Sequence, residues 1–147
     1  MTRDIGLLIL RLAGLYLALG HGWGKLAGLA SGQSRFAEGL AGMGFPLPVV
    51  FAWAAALAEF VGGLALAAGL FTRWAAAFAA VTMFVAGFMR HRALSHLASW
   101  LGIAPASEET AKAWGNPELA VVYLAIFAAI ALLGPGRLSI DAKIGNK

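Results

Sequence analysis

The chain has 147 residues, of which 61% are hydrophobic and 12% charged, with 11 Lys and Arg against 7 Asp and Glu and no cysteine. An ordinary soluble domain carries about 25% charged residues, so this is the composition of a chain that lives in a bilayer. The missing cysteines exclude disulfides, thiolate metal centres and dithiol relays, and the net charge of +4 belongs to the loops of a span-rich protein, not to a nucleic-acid surface.

The first apolar run covers residues 5–20. Arg3 ahead of it and "GLA" ending at Ala30 imitate a signal peptide, but Arg11 within the run and Lys25 after it favour a retained membrane helix. Arg11, Gly14, Ala18, His21 and Lys25 recur at helical spacing and share one side of that helix. In the long loop from Ser31 to Gly44, Ser34 is placed to cap a short helix with Phe36, Leu40 and Met43 on one face. That is the pattern of an amphipathic segment lying on the membrane or over the bundle.

The second run, 49–71, repeats Ala52, Ala56, Glu59, Gly63 and Leu66 on one face. Small residues at this spacing let helices approach closely in lipid, so the Glu59 carboxylate points into the protein. The stretch "GLFTRW" joins it to the third run, 74–90, as an antiparallel hairpin anchored by Arg73 and Trp74. Met83 and Met89 read as packing residues. Arg90, His91, Arg92 and His96 end the third run and read as a basic collar for anionic headgroups. A second long loop, Pro105 to Gly115, has Ser107 as a cap before Glu108 and Glu109. Asn116, Pro117 and Glu118 then open the last run, 118–134, where a first-turn carboxylate meets backbone donors. The fold class is therefore all-α: an integral membrane four-helix bundle with short amphipathic helices in the two long loops. Trp23, Trp53, Trp100 and Trp114 mark the boundary on the long-loop side and Trp74 marks the other.

Shifting the chain by about 70 residues sets His21 on His91 and "GFPLPVVFAW" on "GNPELAVVYL", which suggests a two-helix unit repeated about an axis along the membrane normal. If Lys25 and Leu47 mark one outer level, the partner of Glu59 across the first hairpin is near residue 13, about 3 Å from Arg11. An Arg11–Glu59 ion pair is expected, because either charge alone near mid-membrane costs about 2.5 to 3.5 kcal/mol. Such a pair is a bolt between helices, or the floor of a cavity, or both. Above it the sequence supplies His21, Lys25, His91, Asn116 and Glu118 at helix ends. His21 and Lys25, one turn apart, set a proton acceptor beside a cation, or form an interfacial pair reaching for headgroups. His21 and His91 at matching repeat positions could flank a redox ligand such as a quinone, or a haem, which nothing in the sequence specifies.

The pieces "LRLAGLYLALGHGWGKLAG", "MGFPLP", "LAEFVGGLALAAGLFTRWAA", "NPELAVVYL" and "GPGRLSID" resemble, in order and over nearly the whole chain, the DoxX-like four-helix membrane proteins. The resemblance implies a single domain over residues 1–147, multi-pass in a cell inner membrane, with cytoplasmic termini. Charge counting alone leaves the orientation even, with Arg3, Arg73, Arg137, Lys143 and Lys147 on one side against Lys25, Arg35, Arg90, Arg92 and Lys112 on the other. The positions the family pattern marks are Arg11, His21, Lys25, Glu59, Arg73, Asn116, Glu118 and Asp141. Some relatives are subunits of a thiosulfate-oxidising, quinone-reducing enzyme and others join oxidative-stress assemblies. The resemblance thus implies a subunit of such an assembly, with a polar cavity facing the long-loop side and lined by Arg11, His21, Lys25, Glu59, His91, Asn116 and Glu118. No catalytic residue and no metal site is assigned. Two other classes fit the same residues: a small-solute transporter, and a non-catalytic scaffold docking a soluble oxidoreductase. Expected partners are membrane lipids, a soluble or membrane redox protein and a second copy of the chain, with no nucleic acid.

Overall fold

A computed structural model describes residues 1–145; Lys147, counted above among the terminal charges, lies outside them. The described residues form α1 (Thr2–Ala30), α2 (Arg35–Gly42), α3 (Pro48–Ala68), α4 (Thr72–Arg90), α5 (Ala93–Trp100), α6 (Glu108–Trp114), α7 (Glu118–Leu133) and α8 (Ile140–Lys143). Among the described residues there is no strand, and the chain is an all-helical membrane bundle. Helices α1, α3 and α4 are long and apolar enough to cross a bilayer. The 16 residues of α7 reach only about 24 Å, short of a hydrocarbon core of about 30 Å. With α6, from which it is bent by 43°, α7 makes the fourth candidate span. "Outer" below means the end bearing the long loops and "inner" the end bearing the termini.

The first helix runs ten residues beyond the end expected at residue 20, to Ala30. Gly22 in this extension serves close packing: a Cβ placed there would lie 2.6 Å from the Phe60 backbone nitrogen. The helix widens into a π-turn over Ala18–Gly22, and a second π-turn covers Val85–Arg90 at the corresponding end of α4. The extra residue in the first π-turn rotates the packed face, so Gly22 is buried there and His21 is exposed beside it. His21 lies in one π-turn and His91 directly follows the other, but α1 continues past its π-turn to Ala30 whereas α4 ends at its own.

Helix α3 packs between α1 and α4, and α4 packs on α7, while α1 and α7 meet over a shorter stretch. Gly14 and Gly63 bring α1 and α3 into backbone contact, since a Cβ on Gly14 would lie 2.7 Å from the Gly63 carbonyl oxygen. The face of α3 is Ala52, Ala56, Glu59, Gly63 and Leu66, as its spacing predicts. One buried cluster joins Leu17 and Leu66 to Ala76, Met83, Phe127 and Ile130; Met89, by contrast, is 50% exposed and does not pack in the core.

A second cluster lies at the outer end, where Ala37 and Leu40 of α2 close over Leu29, Ala52 and Ala56. The amphipathic helix therefore covers the bundle. Ser34 caps it by accepting from the Ala37 N–H at 3.1 Å, and Ser107 caps α6 from the Thr110 N–H at 3.2 Å. The sequence did not announce α5, which starts after the left-handed Arg92 at φ 50°.

Candidate functional site: a cavity under the long loops

A cavity of about 740 Å³ opens between α1, α2, α3, α4 and α7 in the outer half of the bundle. Its wall is mostly aliphatic and aromatic, with Phe36, Phe45, Phe51 and Phe78 among the rings. Into this apolar surface project His21 and Lys25 from α1, Glu59 from α3, and His91 and Asn116 from the loop ends.

The charged centre is the pair Lys25 and Glu59. Lys25 Nζ donates to Glu59 Oε1, and the Glu59 side chain is only 2% exposed against 24% for Lys25. The ammonium also sits 4.5 Å from the Phe36 ring centroid, a cation–π contact that ties α2 to the pair. Glu59 Oε2 is buried and has no hydrogen-bond partner in the protein.

His91 is held at the rim. A carbonyl only accepts, so its Nδ1–H donates to the Trp114 carbonyl, at 3.0 Å. His96 Nε2–H donates to the Gly115 carbonyl at 2.8 Å, so two histidines clamp the turn that precedes α7. Gly115 has φ 76°, and a Cβ there would lie 2.8 Å from His91 Nδ1. The collar read as headgroup-binding is thus in part a clamp within the protein.

Two expected lining residues lie elsewhere. Arg11 does not pair with Glu59 and does not line the cavity; its guanidinium donates to the Pro135 carbonyl at 3.0 Å and to the Leu138 carbonyl at the inner end. The reason is register. Because α1 continues to Ala30, Lys25 does not stand level with the start of α3, and Glu59 comes opposite Gly22. The slip from residue 13 is about nine residues of helix, or roughly 13 Å along the axis. Glu118 is exposed and outside the cavity: its N–H donates to Asn116 Oδ1 at 2.8 Å and its carboxylate accepts from Asn116 Nδ2 at 3.3 Å. This is a local cap for α7 that holds Asn116 in the wall.

The other marked residues gather with Arg11. The Asp141 carboxylate accepts from the Phe71 N–H at 2.9 Å, the Thr72 N–H at 2.8 Å and Thr72 Oγ1 at 2.7 Å, capping α4 from the far end of the chain. Arg73 donates to the last carbonyls of α7, Ala131 at 2.7 Å and Leu132 at 2.9 Å. Arg35, Thr82, Arg90 and Tyr123 are lining residues that the sequence reading did not place in the site. Arg35 enters only because α2 folds back over the bundle, and Thr82 and Tyr123 lie in apolar runs where one hydroxyl carries no pattern.

The DoxX family model matches residues 6–92 of this chain. The inner membrane protein YqjF of Escherichia coli (strain K12) is 31% identical over 144 residues, covering 98% of this chain and 95% of that relative. No solved structure gives a significant match. A family match over more than half of the chain, a near full-length relative and an all-helical membrane bundle agree, and this protein belongs to the DoxX family.

Proposed function

We propose that this protein is the ligand-binding subunit of a quinone-linked oxidoreductase or oxidative-stress assembly in a cell inner membrane, with its termini in the cytoplasm. The reading rests on one observation above the others. A charged pair whose carboxylate is 2% exposed stands in the wall of an otherwise apolar cavity, at the end where ionisable side chains mark a site. A bolt between α1 and α3 would need no cavity beside it. The relative from Escherichia coli, an inner membrane protein by name, supports the location.

The residues suit the polar head of a quinone-type molecule on a hydrophobic tail. Phe36, Phe45, Phe51 and Phe78 offer faces to a planar ring, and Lys25 has N–H donors beyond the one given to Glu59. His21, exposed at the cavity edge, offers a ring nitrogen for hydrogen bonding to the head group. A quinone, when bound, supplies two-electron, two-proton carrier chemistry, and in a chain without cysteine the electrons reach it through a bound cofactor or a partner. The test is extraction of protein purified in mild detergent, with quinone identified by mass spectrometry. Quinone near one per chain, lost on Lys25→Met in protein that remains helical, is the expected result. An extract without quinone, from folded protein that also fails to bind added quinone or hydroquinone, overturns the reading.

A further inference from the structure

We propose that the inner end of the bundle holds the phosphate headgroup of an anionic phospholipid, in a cleft separate from the outer cavity. The cleft measures about 710 Å³, and Arg3 of α1, Arg73 of α4, Arg137 of the loop before α8 and Lys143 at the end of α8 bring four cationic side chains to its wall. Asp4 is the one carboxylate in that wall among the described residues, and it already accepts from the Arg137 N–H at 2.8 Å. Asp141 serves the start of α4 and is not in the wall. The last carbonyls of α7 position two of the guanidinium groups: Arg73 Nη1 donates to Ala131 and Leu132, and Arg3 Nη2 reaches Leu133 at 3.4 Å. Those bonds use one nitrogen of each group, so both keep N–H donors for a further acceptor. Gly134 leaves the Arg73 fork uncovered, since a Cβ there would lie 3.0 Å from Nη2. Capping of α7 accounts for Arg3 and Arg73; it does not account for the exposed Arg137 and Lys143, which follow α7 in the chain and share the same wall. Like charges gathered around a single carboxylate repel one another, and a phosphate oxyanion relieves that repulsion while accepting paired N–H bonds from arginine. A lipid is the source of phosphate that fits, because Leu133 lines the same cleft and its neighbour Leu132 is 79% exposed, with Trp74 beside Arg73 69% exposed. A headgroup in the cleft therefore leaves its acyl chains an apolar surface to follow, as basic pockets between membrane helices do for anionic lipids.

The experiment titrates lipid into the delipidated full chain in nonionic detergent and reads bound molecules and dissociation constants by native mass spectrometry. The probes are phosphatidylglycerol, phosphatidylcholine with the same acyl chains, and soluble glycerol phosphate. Phosphatidylglycerol is expected to bind at least about tenfold more tightly than either of the others. The double variant Arg137→Gln with Lys143→Gln is expected to lose at least about tenfold of that affinity, and Lys143→Gln alone about threefold. Both side chains are exposed, so neither change opens the core. Arg92→Gln with Lys112→Gln makes the same change in net charge at the outer end, and is expected to leave the affinity within about threefold of wild type. Equal binding of phosphatidylcholine overturns the inference, as does an equal loss in the inner and outer double variants, which would mean attraction to the net charge and not a site. Binding of glycerol phosphate as tightly as the lipid also overturns it, and would make the cleft a site for free phosphate esters. The outer cavity takes no part in this binding, so each of these results leaves the proposed function as it stands.

Discussion

Replacing Asp141 by alanine removes the acceptor for three donors at the start of α4: the N–H groups of Phe71 and Thr72 and the Thr72 hydroxyl. Thr72 is 0% exposed and Asp141 only 2%, so water cannot take over this role without opening the inner end. Each buried donor left without a partner costs about 1 to 3 kcal/mol, and loss of a helix cap by itself costs about 1. Counting the two Thr72 donors fully and Phe71 weakly, Asp141→Ala is expected to lose about 3 to 5 kcal/mol. Asp141→Asn retains one carbonyl acceptor and is expected to lose about half as much. The measurement is unfolding in mixed detergent micelles, followed by helical circular dichroism, for wild type and both variants. An alanine variant within about 0.5 kcal/mol of wild type would refute the reasoning, because a buried cap that can be deleted freely is not a cap. Ligand affinity per folded molecule is expected to stay unchanged, since Asp141 lies away from the cavity.

Arg11→Lys replaces a fork serving two carbonyls by a single point donor, and is expected to cost about 1 to 3 kcal/mol of stability with ligand affinity unchanged. Lost binding in folded Arg11→Lys protein would return Arg11 to the cavity. Lys25→Met strands the Glu59 carboxylate and is expected to cost about 3 to 5 kcal/mol, most of it recovered when Glu59→Leu is added, as a double-mutant cycle in the same unfolding assay would show. If the double variant is as unstable as the single, the pair is not what destabilises it. Gly22→Val forces a branched side chain against the Phe60 backbone and is expected to cost about 1 to 3 kcal/mol, whereas Gly24→Val, with open space around its Cβ, is expected to change the unfolding midpoint little.

Much of the bundle was legible because lipid imposes a simple rule: runs of apolar residues cross, and small residues at helical spacing face other helices. Ala52, Ala56, Glu59, Gly63 and Leu66 were read as the packed face of α3 and are buried. The caps at Ser34 and Ser107 and the family were also readable, since each rests on local chemistry or on a pattern spread along the chain. Of the site, the inward carboxylate of Glu59 and the presence of His21, Lys25, His91 and Asn116 near one another were legible as types of residue at helix ends.

Partnership was not legible. Composition and periodicity state that Glu59 faces inward, but not which cation meets it, because that depends on where α1 ends. A helix carried past its glycines by contact with α3 displaces the level by about nine residues, which exchanges Arg11 for Lys25. The sequence by itself therefore determined the medium, the helices and their buried faces, all of which follow from side-chain chemistry and helical period. Only the tertiary structure decided which charges pair, which of the marked residues tie the inner end together and which line the cavity. Register between helices is set by how closely particular backbones approach, and that is a property of two segments at once.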